Sequence, residues 1–224
     1  MRDVASVYVS YYPDLAVPGA AEAVRSFSQL ALERGVRRLV LLSGRGEEEA
    51  QRTELAVREA GPEWTIVRCS FFDQNFSESF FLDQVLGGKV ALPAGDVAEP
   101  FVDVEDIADN AVAALTQEGH AGELYELIGP GPLTFGEAVE EISRATGPEI
   151  RYVPVSVAEF ASALDRDGVP PEVTQLLTYL FSEVLDGRNA YLTDGLRRAL
   201  GREPRDFSDY SRDSAAAGVW DSTR

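Results

Sequence analysis

The chain has one cysteine and one histidine in 224 residues. Cys69 alone excludes an internal disulfide framework, and a single His with a single Cys excludes a His/Cys zinc site. Positive charge is scarce: 20 Lys and Arg stand against 38 Asp and Glu, a formal net charge of -18. A surface of that sign repels phosphate backbones and anionic headgroups, so nucleic acid and membrane surfaces are not expected partners. No apolar run approaches the roughly 20 residues that a spanning helix needs, and Met1-Arg2-Asp3 leads into a strand-like segment instead of a signal-peptide core. The expectation is a soluble cytoplasmic protein. No internal repeat or low-complexity linker interrupts the chain, and its 45% hydrophobic residues suffice for one packed domain.

What is present alternates between strand and helix. VASVYVSYY (residues 4–12) is β-branched and aromatic up to Pro13 and reads as a buried strand. Val24, Phe27, Leu30 and Ala31 then recur at helical spacing, with Gly35 as the stop. VRRLVLLS is a nearly continuous apolar run, as in a parallel strand covered on both faces, and EEEAQRTELAVREAG follows as a helix with an exposed face. WTIVRCS reads as a third strand, and the spacing predicts one amphipathic helix over 71–86. PFVDVEDIADNAVAALTQ takes a short strand into a helix, with Asp103 as N-cap and Asp106 in the first turn. A strand at GELYELIG, a Gly/Pro turn and a helix opened by a Thr134/Glu137 capping box come next. RYVPVS is a further short strand, and from Val157 the pattern is mostly helical. This implies an α/β fold, a parallel sheet with flanking helices and a small helical C-terminal lobe. The expected division within one domain is a core over 1–118 and a lobe over 119–224.

GVRRLVLLSG, EWTIVRCSFFDQNF, FVDVEDIADNAVAAL and GHAGELYELIGPGPLTFGEAVEEIS resemble, in order and spacing, the NmrA-like group of atypical short-chain dehydrogenases. The tail DGRNAYLTDGLRRALGREPRDFSDYSRD is similar to the same group's C-terminal end. The resemblance implies a Rossmann-type sheet, NAD(P) as cofactor, and oxidoreductase activity on a small apolar carbonyl, quinone or enone. Non-catalytic cofactor sensing is a second role found in the group, and cofactor-free interaction or regulation is a third reading for this chain. The group begins with a strand, a G-x-x-G-x-x-G turn and a helix, where glycine lets the backbone approach the pyrophosphate. That motif is absent here. The nearest glycines, in SGRG and GPGP, follow no first strand, and SGRGEEE packs three carboxylates at a helix start. The expectation is a chain lacking roughly 60–75 residues of the first βαβαβ half. VASVYVSYY then becomes an exposed sheet edge that pairs with a second copy or a partner chain.

Ser43 lies where these dehydrogenases keep a catalytic serine, and reads either as that residue or as a helix N-cap. The accompanying Tyr-x-x-x-Lys falls on Ala50 and Glu54, neither of which matches. Glu54 either faces the cofactor side or is solvated with Glu47, Glu48, Glu49 and Glu59. By resemblance, Tyr11, Ser43, Ser70 and Phe71 border the cofactor. Tyr12, Phe72, Asn75 and Phe76 border the substrate, with Asn75 as polar anchor; the phenylalanines read equally as core. His120 is expected to be structural, and Cys69 a small buried hydrophobe. Asp103 and Asp106 read as a carboxylate pair for acid/base work or simply as helix-start residues.

Overall fold

The computed structural model describes residues 4–61, 63–79 and 81–221. Residues 1–3, read above as the approach to the first strand, lie outside that range, as does Phe80 of the expected 71–86 helix. The first elements are β1 (Ser6–Val9), α1 (Ala20–Glu33), β2 (Arg38–Gly44), α2 (Glu48–Ala60) and β3 (Glu63–Cys69). Next come α3 (Asn75–Glu78), α4 (Leu82–Leu86), β4 (Lys89–Leu92), β5 (Ala98–Glu99), α5 (Val104–Thr116), β6 (Glu123–Leu127) and β7 (Leu133–Thr134). The chain continues through α6 (Phe135–Thr146), β8 (Arg151–Pro154), α7 (Val157–Arg166), α8 (Pro171–Tyr179) with a π-helical turn at Leu180–Val184, α9 (Gly195–Leu200) and α10 (Phe207–Ala216).

Two compact units result. The first comprises Met1–Ser70, Glu105–Ile128 and Thr193–Pro204, and the second Phe71–Val104, Gly129–Leu192 and Arg205–Arg224. This differs from the expected division at 118/119, because β6 pairs with β3 and α9 returns to lie on β6, so both belong to the first unit.

The first unit holds a four-stranded sheet in the order β1-β2-β3-β6, parallel throughout. Right-handed crossovers between adjacent parallel strands put successive helices on one face. Accordingly Val24 and Ala31 of α1 and Ala50 and Val57 of α2 share a core with Leu39 and Leu41. Because side chains alternate along a strand, Ser43 follows Leu39 and Leu41 onto that face, and Arg68 follows Trp64. Arg38, at the start of β2, donates to the carbonyls of Leu115 and Gln117 at 3.2 and 2.9 Å and so satisfies the end of α5. The first strand is not buried as expected. It is four residues long, none of them fully buried, and among the described residues only one of its edges is paired.

The second unit is built around aromatic rings. Phe76, Phe101, Phe135, Phe181 and Phe207 are all buried in one cluster, with Phe101 and Phe135 edge to face at 5.1 Å. Around it lie a parallel β4–β8 pair, which the sequence reading missed in β4, and an antiparallel β5–β7 pair. The helix expected over 71–86 is two short helices, with Ser79 between them in extended conformation (φ -132, ψ -158). In one continuous helix Phe76 and Phe81 would point about 140° apart. The break lets both enter the core, at 0% and 2% exposure. The Thr134/Glu137 capping box forms as expected.

Candidate functional site

Ser43, Arg68 and Glu126 occupy one register row across β2, β3 and β6, at the carboxyl ends of the strands. Glu54 reaches this row from α2. Its Oε1 accepts the Ser43 hydroxyl at 2.7 Å and Arg68 Nε at 2.8 Å, and its Oε2 accepts Arg68 Nη2 at 2.5 Å. Arg68 Nη1 donates to Glu126 Oε1 at 2.9 Å, so one guanidinium serves two carboxylates. The bond to Glu54 is the largest influence holding the Arg68 pKa above its ordinary value. The Glu54 side chain is only 4% exposed. Glu54 is therefore not solvated with the helix's other acids, because Arg68 compensates its burial. Sequence reasoning missed Arg68 and Glu126; the signal was a charge inside each of two otherwise apolar strands, IVRC and LYEL.

Ser43 is buried at 3% exposure and makes no N-cap bond to α2, whose N-cap position is Glu47. The Ser43 hydroxyl donates to Glu54 in this arrangement. Ser70 is buried, and its N–H donates to the Leu127 carbonyl at 3.0 Å. Tyr11 is half-buried against the core beneath α1 and α2, whereas Tyr12 is 90% exposed.

Glu47 was expected among the solvated acids and is instead buried, its carboxyl against Gly44. Burial first, and then the Asp14 charge, push its pKa well above 4.5. Glu48 and Glu49 do face solvent, paired with Arg52. Burial likewise drives the Cys69 thiol upward, in keeping with an inert core residue. His120 is buried with Nδ1 2.9 Å from the Tyr125 hydroxyl, and its carbonyl accepts Thr65 Oγ1 at 2.7 Å. Asp106 is fully buried and ion-paired to Arg202 at 2.7 Å, so it anchors the turn after α9.

In the second unit, Phe71 is half-buried and stacks on Phe81 with centroids 6.0 Å apart. Phe72 and Asn75 are half-buried, Phe72 bridging Val102 through the backbone. Phe76 is wholly core, and its carbonyl accepts Trp220 Nε1 at 2.9 Å, so it presents no surface to a substrate. Gln74, which the sequence reading passed over, accepts the Val104 N–H and donates to Asp103 Oδ1, both at 2.9 Å. It therefore satisfies the first amide of α5 beside Asp103, the residue expected as its N-cap.

Gly44 of SGRG and Gly129 of GPGP do not leave room for a pyrophosphate. The space beside Gly44 is filled by the Glu47 carboxyl, 2.1 Å from where a Cβ would stand, and Gly129 packs 2.1 Å on the same measure from the Phe101 carbonyl. An acid where the phosphates would lie opposes them. Among the described residues no group of three or more His, Cys, Asp or Glu is placed to hold a metal, and no helix is long and apolar enough to cross a membrane.

A parallel sheet flanked by helices, with polar and charged side chains at its carboxyl ends, is the arrangement of a Rossmann-type protein. No family model matches the chain. It is 31% identical over 230 residues to agroclavine dehydrogenase of Claviceps fusiformis, covering 98% of this chain and 77% of that protein. It is 32% identical over 168 residues to the uncharacterized oxidoreductase YesF of Bacillus subtilis, covering 75% of this chain and 58% of that one. The fold matches the NADPH-dependent quinone oxidoreductase QOR2 of Escherichia coli, solved with NADPH, at TM-score 0.80, 21% identity, 95% of this chain and 77% of that chain. NmrA, a negative transcriptional regulator solved with NAD, matches at TM-score 0.66, 15% identity, 97% of this chain and 76% of that one. The chain belongs to the NmrA-like group of atypical short-chain dehydrogenases. Three of these four matches cover 95–98% of the chain and the fourth 75%, and they lend no support to the expected truncation.

Proposed function

We propose that this chain supplies the substrate side of an NAD(P)H-dependent oxidoreductase that reduces a small apolar carbonyl, quinone or enone. The observation that carries this is the 31% identity to a dehydrogenase over 98% of the chain. When bound, the cofactor supplies the hydride. The half-buried rings of Phe71 and Phe72 favour an apolar substrate, and Asn75 offers a polar anchor. The Glu47 carboxyl fills the space beside Gly44, so SGRG offers no open cradle for a pyrophosphate. The edge of β1 that is unpaired among the described residues is where a glycine-rich segment, or a second copy of the chain, would add as a strand.

A second reading, a cofactor-free interaction protein, is favoured by Glu47 filling the space beside Gly44. The two are separated by joining the chain behind a strand, glycine-rich turn and helix taken from a relative. The reductase reading expects micromolar NADPH binding and quinone reduction from the joined protein. A joined protein that folds and binds no NADPH would favour the second reading.

A further inference from the structure

In the second unit α6 and α10 pack against each other, and toward their C-terminal ends they leave a cavity of about 550 Å³. Ala145 and Thr146 line it from α6, and Ala215 and Ala216 from α10. Side chains this small leave the space open. Trp220 forms a further part of the wall, and its indole is held in place: Nε1 donates to the Phe76 carbonyl at 2.9 Å, and the ring meets Tyr210 edge to face at 5.9 Å. A cavity of that volume with a fixed aromatic wall is in the range of small-molecule sites.

Two side chains of opposite charge, Arg212 and Asp221, line the same cavity. Arg212 Nη2 donates to Asp209 within α10, an exposed pair that contributes little and uses one of the guanidinium's donors. The remaining donors suit a carboxylate. Asp221 is exposed, and the last turns of both helices, which carry partial negative charge, open on the same space. These groups suit an ammonium. We propose that the cavity binds a small zwitterion with an apolar body, of the free amino acid class, its carboxylate on Arg212, its ammonium on Asp221 and its side chain against Trp220. A cation alone would leave Arg212 facing its own sign, and an anion alone would meet Asp221 and the two helix ends. A molecule with both charges answers both side chains. The site uses no residue assigned above to cofactor or substrate, so it stands independently of the reductase reading.

The test titrates the whole chain with L-phenylalanine, phenethylamine and phenylpropionate, probes that share a ring and differ in charge, while indole N–H signals are followed by NMR. The chain has two tryptophans, and Trp64→Phe assigns the signal of Trp220. The expected result is saturable movement of that signal by L-phenylalanine, with each singly charged probe at least about tenfold weaker. Arg212→Gln should bring L-phenylalanine down to the level of phenethylamine, and Asp221→Asn to the level of phenylpropionate. Both residues are exposed, so neither change disturbs the core. Ala216→Phe, which fills the cavity from an exposed position, should abolish binding of all three. Equal affinity for the three probes, or no shift with L-phenylalanine up to about 10 mM, would overturn the proposal, as would binding that survives Ala216→Phe.

Discussion

Arg68 is the residue on which the charged row turns. It neutralises two carboxylates, Glu54 at 4% and Glu126 at 18% side-chain exposure. Removing one partner of a buried ion pair leaves the others uncompensated, at about 3–5 kcal/mol. Arg68→Met should therefore lower the unfolding free energy by that amount in a urea titration. Ser43→Ala, which leaves Glu54 bonded to Arg68, should lower it by about 1.5–3 kcal/mol. Equal losses from the two variants would contradict this division of labour. The row was only half legible in the sequence. Ser43 at the end of an apolar strand could be placed, but its partner could not, since Glu54 sits in a helix already rich in exposed acids. Whether an acid is buried depends on a cation from a distant strand, and the periodicity of its own helix carries no trace of that.

At the scale of elements, close backbone approach locks α9 onto β6. A Cβ on Gly195 would stand 2.1 Å from the Glu126 carbonyl oxygen and 2.8 Å from its backbone nitrogen, atoms that cannot swing aside. Gly195→Ala should destabilise by about 1–3 kcal/mol through overpacking, read as a fall in the urea midpoint at unchanged slope. A neutral substitution would mean that α9 does not rest on β6. Local patterns made β2, β3 and the capped start of α6 readable, because apolar runs and a Ser/Thr-x-x-Glu box announce themselves within a few residues. The break between α3 and α4 and the pairing of β4 with β8 were not readable. Both answer to where the aromatic core needs its rings, and that requirement comes from chain far away.

For the whole molecule, the outer edge of β1 is unpaired among the described residues, beside Tyr8, which is 37% exposed, with no charged side chain among Ser6–Val9. Such an edge invites strand addition. Light scattering at tens of micromolar should show more than one chain per particle, and Tyr8→Lys should shift the protein toward monomer. A native protein that stays monomeric would remove the edge from the account. The decisive measurement concerns the cofactor. The 224-residue chain alone is titrated with NADPH and NADH while nicotinamide fluorescence and molar mass are followed together. With an acid filling the space beside Gly44, the expected result is no saturable binding up to millimolar nucleotide. Micromolar binding by this chain would contradict that, and would mean that residues other than its glycines hold the pyrophosphate.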